Sequence, residues 1–550
     1  MSEIFTLVAV EVAHIQQYIF NSNRLKENIG ASFLVAAATD LWARDAVRQA
    51  VTQHNLDAEN QFVPKLHLEQ RAELEAEVVY CGGGNFVCLF RQAADAQNFA
   101  RALSARVLFD APGLHLVIHS LQYEVGVEPL AQAVGRLLRE LKRERGHQPR
   151  STGIAGLGVT AMCDSTSLPA VTLITDQDGK RNIYSAETAA KLAVTEAANQ
   201  ELKRLIQLEQ RFLYPLDFDH LGRTEHEKSF IAIVHADGNG LGQIVSGIAQ
   251  NYNSVKQNIA YIEALRTFSE NVKRASNQAL TKTVEYLESA LGEDGTLRYH
   301  FSGQAPLALK RSADRRWFFP FRPLIFGGDD VTFVCDGRIG IALAVEFIQQ
   351  FETAVTDIMQ RTLTACAGVA IVKAHYPFAR AYELSEELCQ SAKTFARSQQ
   401  SATSTMVPSA IDWHFTTGGL YGDLEVMRQR EYSAPAGQQS LILRPVLLGE
   451  QLHPYRTWPF VERSVTAFQV GEWSGSRNKA KTLAQVLRQG PDATAAYQAR
   501  YLRSDKLTLP DAPLFAQNAG WYEQYCGYFD ALELLDLYVP LVAAQEEQHG

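Results

Sequence analysis

Four apolar runs in the middle of the chain follow the pattern of strands in a single sheet. They occupy residues 230–236, 323–326, 331–334 and 367–373. A helical pattern begins near Gln243, after the first run, and the fourth run is followed by residues 378–397, whose apolar positions recur every three or four residues. Runs of four to eight apolar residues bounded by glycine-rich turns predict buried strands, and the longer periodic segments predict helices.

The N-terminal part repeats this order of elements. A strand ends at Glu11, and residues 78–81 and 86–87 flank a second glycine turn. Residues 125–127 (VGV) lie about as far beyond this turn as Gly368 lies beyond the other one. Self-similarity of this kind indicates an internal duplication, in which Glu11 takes the place of Asp237.

Helical patterns dominate the rest of the sequence. The predicted helices lie at 130–145, 185–213, 252–290, 479–488 and 493–502, and residues 166–223 are poor in strand signals. An aromatic-rich segment extends from Trp521 to Tyr538. These patterns predict a helical connector and further helices near the C-terminus.

Carboxylates stand at two turns that the strands hold in place. Gly327 and Gly328 precede Asp329 and Asp330 between two strands, and Asp237 ends the strand at 230–236. Glycines permit positive φ and a close approach of a polyanion, and adjacent carboxylates attract a divalent cation. The alternative for the hairpin is an ordinary solvated turn, in which Gly and Asp are common. Lys393, on the helix at 378–397, could reach a triphosphate, or it could be a solvated lysine.

These residues resemble the large, polymerase-like subunit of type III CRISPR effector complexes, the family that makes cyclic oligoadenylates from ATP. The resemblance lies in the turn at 237–242 (DGNGLG), the GGDD hairpin at 327–330, the strand at Ala367, the helix with Lys393, and the N-terminal segments 10–20 and 30–34. It implies an α+β fold with two ferredoxin-like palm domains and with helical connecting and C-terminal domains. The expected limits are 1–165 for the first, degenerate palm, 166–225 for the helical connector, 226–400 for the second palm and 401–550 for the C-terminal domain.

The resemblance also implies a reaction and its residues. We expect a nucleotidyltransferase that uses ATP with Mg²⁺ or Mn²⁺ in antiviral defence, alone or with guide RNA, target RNA and CRISPR effector subunits. Catalytic and metal-binding roles fall on Asp237, Asp329 and Asp330. Nucleotide-binding roles fall on Ser32, Gly83, Asn85, Gly238, Gly327, Gly328 and Lys393. For Ser32 the alternative is a helix cap, and for Gly83 and Asn85 it is a plain hairpin turn.

The chain departs from its relatives at two points. Many relatives carry a further carboxylate two residues after the strand-end acid, where this chain has Asn239. Relatives commonly begin with a histidine-aspartate nuclease domain, but this chain of 550 residues opens on the first palm and contains no His-Asp dipeptide. We therefore expect no cleavage of single-stranded DNA.

Composition narrows the class of protein further. A formal net charge of −9 argues against a broad nucleic-acid-binding surface. The seven cysteines are dispersed without a Cys-x-x-Cys pair, which predicts reduced thiols and no zinc site. No run of about eighteen apolar residues occurs, so we expect a cytoplasmic protein that does not span a membrane.

Two other functions stay open at this stage. A diguanylate cyclase also carries its signature on a palm hairpin, but that signature ends in Glu-Phe where this chain has Asp330 and Val331. A non-catalytic scaffold that binds nucleotide or RNA in a CRISPR complex is the other alternative. The three intact acids of the second palm count against it.

Overall fold

The computed structural model describes most of the chain. It covers residues 3–147, 158–175, 179, 181–221, 229–298, 307–400, 406–416, 422–434, 439–502, 507–510 and 513–542. The chain divides into two units. The first contains Met1–Gln207, Gly240–Ser276 and Leu324–Asp329, and the second contains Leu208–Asn239, Asn277–Pro323 and Asp330–Gly550. The expected domain limits at 225–226 and 400–401 fall at or within segments outside the described residues, and all three limits between the expected domains stay predictions.

A four-stranded antiparallel sheet forms the centre of the first unit, in the order β2-β3-β1-β4. Its strands are β1 (Ile4–Ala13), β2 (Ala76–Gly82), β3 (Asn85–Phe90) and β4 (His115–Glu124). A small hairpin of β5 (Thr172–Thr175) and β6 (Arg181–Tyr184) lies farther along the chain, in the segment that we predicted to be poor in strands. The equivalent of the strand at Ala367 is β4, so our assignment of residues 125–127 to that role is wrong. Gly126 lies in the turn that follows β4, with φ of 82°.

The first unit also contains helices. They are α1 (Ile15–Phe20), α2 (Leu25–Thr39), α3 (Leu41–Ala50), α4 (Ala93–Asp110), α5 (Leu130–His147), α6 (Ala186–Ala193), α7 (Thr195–Leu205), α8 (Leu241–Asn251) and the part of α9 (Asn258–Ala290) that precedes Asn277. Of these, α2, α4 and α5 pack on the four-stranded sheet. Apolar residues of α5 and α9 pack on β1 and β3 in one buried cluster, which includes Leu7, Leu89, Leu137 and Leu265. The inserted helix α9 is also held by its Arg266, whose Nη2 donates to Glu77 Oε1 of β2 at 2.8 Å.

The second unit contains a six-stranded sheet in the order β10-β11-β8-β12-β13-β14. The strands of this unit are β7 (Phe212–Leu213), β8 (Phe230–Gly238), β9 (Trp317–Phe318), β10 (Phe321–Ile325), β11 (Asp330–Asp336), β12 (Ala365–Lys373), β13 (Ala410–Thr416), β14 (Val446–Leu447), β15 (Trp521–Tyr522) and β16 (Tyr525–Cys526). The last two residues of β10, Leu324 and Ile325, belong to the first unit. The first four strands of the sheet repeat the order of the first unit. Two palm sheets are therefore present, as the internal duplication predicted, and the α+β fold class is confirmed.

The helices of the second unit are α10 (Gly340–Met359), α11 (Phe378–Ser398), α12 (Leu424–Glu431), α13 (Trp458–Ala467), α14 (Arg477–Leu487), α15 (Pro491–Tyr497), α16 (Pro513–Ala516) and α17 (Phe529–Leu534). Helices α10 and α11 lie on opposite faces of the sheet. Gly340 of α10 packs against Ala232 and Val369, whereas Gly368, the residue before Val369 on β12, packs against α11. Successive residues of a strand point to opposite faces of the sheet. Among the described residues, no helix is both long and apolar enough to cross a membrane.

Candidate active site of the second palm

The sheet register brings two of the predicted carboxylates together. Asp237, near the end of β8, lies directly opposite Asp330, the first residue of β11. On its other side, Asp237 lies opposite Cys366 of β12. Residues directly opposite each other in an antiparallel pair project from the same face, with their Cβ atoms about 4.5–5.5 Å apart. The carboxylates of Asp237 and Asp330 therefore share one edge of the sheet.

The glycine turn before β11 shapes the approach to these acids. Gly327 has a φ of 90°, a conformation that side-chain-bearing residues rarely adopt. Asp329 follows the two glycines and lies in the vicinity of Tyr80. Burial raises the pKa of Tyr80, and the neighbouring Cys81 and Asp329 side chains raise it further.

Lys393 contacts the strand-end acid itself. Its ammonium group donates to Asp237 Oδ2, and it donates to the carbonyl oxygen of Gly238 at 3.2 Å. Lys393 is 8% exposed, so its long side chain is packed rather than solvated. The lysine thus fixes the position of one Asp237 oxygen. Its proposed contact with a triphosphate stays a prediction.

His235 is a functional candidate that the sequence reasoning missed. Its Nδ1 lies 3.2 Å from both Thr332 Oγ1 and Asp330 Oδ1. Burial lowers the pKa of His235, against the opposing effect of the Asp237 and Glu386 carboxylates. A single polar residue in an otherwise apolar strand, two positions before the acid, was the available signal.

A pocket of about 370 Å³ opens beside these residues. Eight side chains line it: His235, Asp237, Glu383, Glu386, Glu387, Cys389, Gln390 and Lys393. Six of them come from one face of α11. Tyr382, one turn before Glu386, packs edge-on against the His235 ring with the centroids 5.7 Å apart. Tyr382, Glu386 and Lys393 therefore lie on the face of α11 that is turned toward His235 and Asp237.

The donor set of the second palm fits a divalent cation. The carboxylates of Asp237 and Asp330 face each other across neighbouring strands, and Lys393 takes only one oxygen of Asp237. Mg²⁺ commonly binds through one or two carboxylates and completes its shell with water and substrate phosphates. No group of three or more His, Cys, Asp or Glu side chains with metal-binding geometry occurs in the described part of the chain.

Asn239 stands where the resemblance places a further carboxylate, and two hydrogen bonds hold it through its nitrogen atoms. Its side chain is buried, and its Nδ2 donates to Thr364 Oγ1 at 3.0 Å. The backbone N–H of Asn239 also donates to the Thr364 carbonyl, at 2.8 Å. Both bonds tie the end of β8 to the start of β12. The metal ligands predicted from the sequence stay Asp237, Asp329 and Asp330.

The first palm repeats the geometry with different chemistry. Glu11 of β1 lies opposite Asn85 of β3, in the register that joins Asp237 to Asp330. Gly83 and Gly84 form the turn before Asn85, with φ of 59° and 76°. Asn85 Nδ2 donates to the Gly83 carbonyl at 3.1 Å, which stabilises the turn.

Ser32 has a structural partner within the first unit. Its hydroxyl donates to the carbonyl oxygen of Leu324. The residue lies in the middle of α2, so the alternative of a helix cap is wrong. The proposed nucleotide contacts of Ser32, Gly83 and Asn85 stay predictions.

The comparison with family models concerns the second palm. Residues 230–401 match the model described as Cas10/Cmr2, second palm domain. The resemblance to this family is confirmed. The matched segment contains the strand-end acid, the GGDD hairpin and the helix with Lys393. No curated protein matches the sequence.

Solved structures share the fold over nearly the whole chain. Csm1 of T. onnurineus superposes with a TM-score of 0.54 at 13% identity, covering 98% of this chain and 70% of that one. A Csm1-Csm4 cassette in complex with one ATP gives a TM-score of 0.51 at 14% identity, and the match covers 98% of this chain and 70% of that one. The cassette in complex with cA4 gives 0.50 at 13% identity, with 97% and 70% covered. At these identities the likeness shows the fold.

Proposed function

We propose that this protein is a nucleotidyltransferase that joins ATP molecules through 3′–5′ phosphodiester bonds and closes them into cyclic oligoadenylates. The observation that carries the proposal is the placement of Asp237 opposite Asp330, beside a glycine turn on a Cas10/Cmr2-like palm. Carboxylates held close together on rigid strands can bind the divalent ions that stabilise phosphoryl transfer.

Each residue of the site has a role in this proposal. Asp237, Asp329 and Asp330 hold Mg²⁺ or Mn²⁺, and Lys393 keeps the Asp237 carboxylate in one orientation. Bound there, the metal ions would lower the pKa of the attacking ribose hydroxyl and neutralise the leaving pyrophosphate. Gly238, Gly327 and Gly328 carry no Cβ atoms, so the triphosphate can approach their backbone. Lys393 is also close enough to this edge to contact the phosphates from the side of α11.

The setting of the reaction is part of the proposal. The Csm1 structures that this chain resembles are those of Csm1-Csm4 cassettes, with ATP in one and cA4 in another. We propose that this chain likewise acts with CRISPR effector subunits, and that guide and target RNA control its activity. A two-state switch predicts that the isolated chain is nearly inactive until these partners are added.

The double substitution Asp329→Ala with Asp330→Ala tests the catalytic assignment. We expect it to abolish product formation while thermal unfolding stays nearly unchanged, because turn substitutions at the surface usually cost less than about 0.5 kcal/mol. The assay incubates the chain, with its partner subunits and target RNA, with radiolabelled ATP and Mg²⁺, and the products are resolved by mass. Undiminished turnover in the double variant would contradict the assignment.

The same assay separates the alternatives. The proposal expects ATP to be preferred over GTP, because a mismatched purine edge leaves hydrogen-bonding groups unpaired at roughly 1–3 kcal/mol each. Preference for GTP with a cyclic dinucleotide product would identify a diguanylate cyclase. Nucleotide binding without any product, in the complete assembly, would identify a non-catalytic scaffold.

A further inference from the structure

His235 projects from the same face of the second palm sheet as the two facing acids. It stands two residues before Asp237 on β8, and residues two apart on a strand share a face. In the register of β8 with β11, Thr332 lies opposite His235. The next pair on this face joins Asp237 to Asp330. The imidazole therefore lies beside the carboxylates of the site.

The surrounding elements hold the imidazole in one place. On β12 the residue opposite His235 is Gly368, which has no side chain, and helix α11 packs closely against it. The Tyr382 ring of this helix packs edge-on against the imidazole, with the centroids 5.7 Å apart. His235 is only 6% exposed. Packing of this kind restricts the side chain to one orientation, so its nitrogen atoms keep fixed positions relative to the strands.

One ring nitrogen, Nδ1, meets two oxygen atoms. It forms a hydrogen bond with Thr332 Oγ1 at 3.2 Å and lies 3.2 Å from Asp330 Oδ1. An ionised carboxylate can only accept a hydrogen bond, whereas a hydroxyl can accept or donate one. A nitrogen lone pair so close to a carboxylate oxygen would be repelled by it. These partners assign the hydrogen to Nδ1, where its positive end attracts the Asp330 carboxylate.

The first palm has apolar residues where the second palm has this polar pair. Ala9 precedes Glu11 by two residues on β1, as His235 precedes Asp237 on β8. The partner of Ala9 on β3 is Val87, and both residues are fully buried. The same strands can therefore pack with alanine and valine here, and burying an imidazole and a hydroxyl instead costs free energy. The polar pair occurs in the palm that keeps the acids, which favours a role in the acid site over a role in the fold.

We propose that His235 is a positioning residue of the second palm, whose Nδ1–H orients the Asp330 carboxylate for a divalent cation. Lys393 orients the facing Asp237 carboxylate in the same way. The inference rests on the proposed function for its ligand and goes beyond it by naming a residue that sets the affinity for the cation. Partners that orient metal-binding side chains typically contribute about 10- to 100-fold to metal affinity or activity.

Titration of the full chain with Mn²⁺ alone tests this role, with the free ion followed by electron paramagnetic resonance. His235→Phe keeps a ring against Tyr382 and removes the nitrogen, so the dissociation constant should rise about tenfold. His235→Asn keeps an N–H donor the same number of bonds from Cβ as Nδ1, so it should restore most of the affinity. The double substitution Asp237→Asn with Asp330→Asn gives the background of Mn²⁺ held elsewhere, including the glutamates of the pocket on α11.

Thr332→Val is the matched control. It removes the other partner of Nδ1 and introduces the residue type that the first palm has at the equivalent position, Val87. This variant should bind Mn²⁺ as the wild type does. Thermal unfolding of every variant shows whether it is folded. If His235→Phe does not fold, His235→Ala, which introduces the residue type of Ala9, takes its place.

Three results would overturn the proposal. They are equal Mn²⁺ affinity of the wild type and His235→Phe, an affinity of His235→Asn as low as that of His235→Phe, and an equal loss in Thr332→Val. Wild-type binding no stronger than the background of the double asparagine variant would overturn it as well.

The Mn²⁺ titration and the ATP assay fail independently. A Mn²⁺ affinity that depends on His235 would support the positioning role even if no oligoadenylate were made. Conversely, the Asp329→Ala, Asp330→Ala chain could lose product formation while wild type and His235→Phe bind Mn²⁺ equally. In that case the proposed function would stand and the role of His235 would be refuted.

Discussion

The Asp237 carboxylate serves two neighbours at once. One of its oxygens accepts a hydrogen bond from Lys393, and the residue faces the second acid, Asp330, across the sheet. Like charges directly opposite each other in a sheet are destabilising. The buried ammonium of Lys393 offsets this repulsion from one side. Lys393 therefore stabilises the site and orients its central ligand.

Replacing Lys393 by Met should impair catalysis more than it impairs folding. The half-buried Asp237 carboxylate loses its cation, which should cost about 1 kcal/mol of unfolding free energy. The reaction loses a fixed orientation of Asp237 and a positive charge near the phosphates, so we expect turnover to fall by about a hundredfold. Product formation at saturating ATP and Mg²⁺, with thermal unfolding alongside, measures both. Lys373→Met, at an exposed lysine of β12, is the control, and equal loss in the two variants would refute the assigned role.

Sequence reasoning predicted the acids of this site better than their contacts. The sequence indicated Asp237 and the two hairpin acids as one site, because strands bounded by glycine turns hold them, but it left open which hairpin acid lies opposite Asp237, and the register shows that it is Asp330. The contact of Ser32 with Leu324 joins residues 292 positions apart, and no local pattern encodes such a distance. His235 was missed for a related reason. Its hydrogen bond to Thr332 depends on the register of two strands nearly a hundred residues apart.

At the level of elements, the closest packing in the second palm is that of α11 on β12. A Cβ atom placed on Gly368 would lie 2.1 Å from the Ser385 carbonyl oxygen and 2.3 Å from the Cys389 backbone nitrogen. Real contacts of that length do not occur, so the helix can sit here only because residue 368 has no side chain. This close packing of α11 on β12 places Lys393, one turn after Cys389, within reach of Asp237.

Gly368→Ala should therefore displace α11. Overpacking of this kind usually costs about 1–3 kcal/mol, and the displaced helix should also lower turnover through Lys393. Thermal unfolding and the ATP assay measure the two effects. Gly247→Ala is the matched control, because a Cβ at this position of α8 meets nothing within 4 Å. Replacing a helical glycine by alanine should stabilise the chain by about 0.5–1 kcal/mol. A tolerated Gly368→Ala variant would show that α11 can move without consequence.

There are physical reasons why the sequence patterns missed strand β13 and the hairpin at β5. Strand β13 is buried throughout, yet it carries Asp412 and His414, which break the apolar run. Asp412 is tolerated there because Arg428 donates to both of its carboxylate oxygens. In the hairpin at β5, Leu173 and Ile174 are exposed, so no alternation of buried and exposed positions marks the strand.

At the scale of the whole molecule, the internal duplication could be predicted from the sequence because both palms keep the same order of strands. A four-stranded order, β2-β3-β1-β4, recurs as β10-β11-β8-β12. The glycine turns and strand ends survive in both copies even though the hairpin acids survive in only one. Side-chain chemistry has diverged faster than the backbone positions that carry it. Among the residues that the structure describes, the strands β13 and β14 extend only the second sheet, so they could not be predicted from the repeat.

Acid should unfold the protein partly through one buried histidine of the second unit. Burial lowers the pKa of His414 to about 3, with Arg444 and Arg428 lowering it further, whereas the unfolded chain has an ordinary histidine pKa of about 6.5. Between these values the unfolded chain binds a proton that the folded chain does not, so stability falls as pH falls, by up to about 1.4 kcal/mol per pH unit. His414→Gln should make the decline of unfolding free energy between pH 6.5 and pH 4 shallower, as measured by urea unfolding. His375→Gln, at an exposed histidine, is the control, and identical slopes for wild type and His414→Gln would show that this histidine does not set the acid limit.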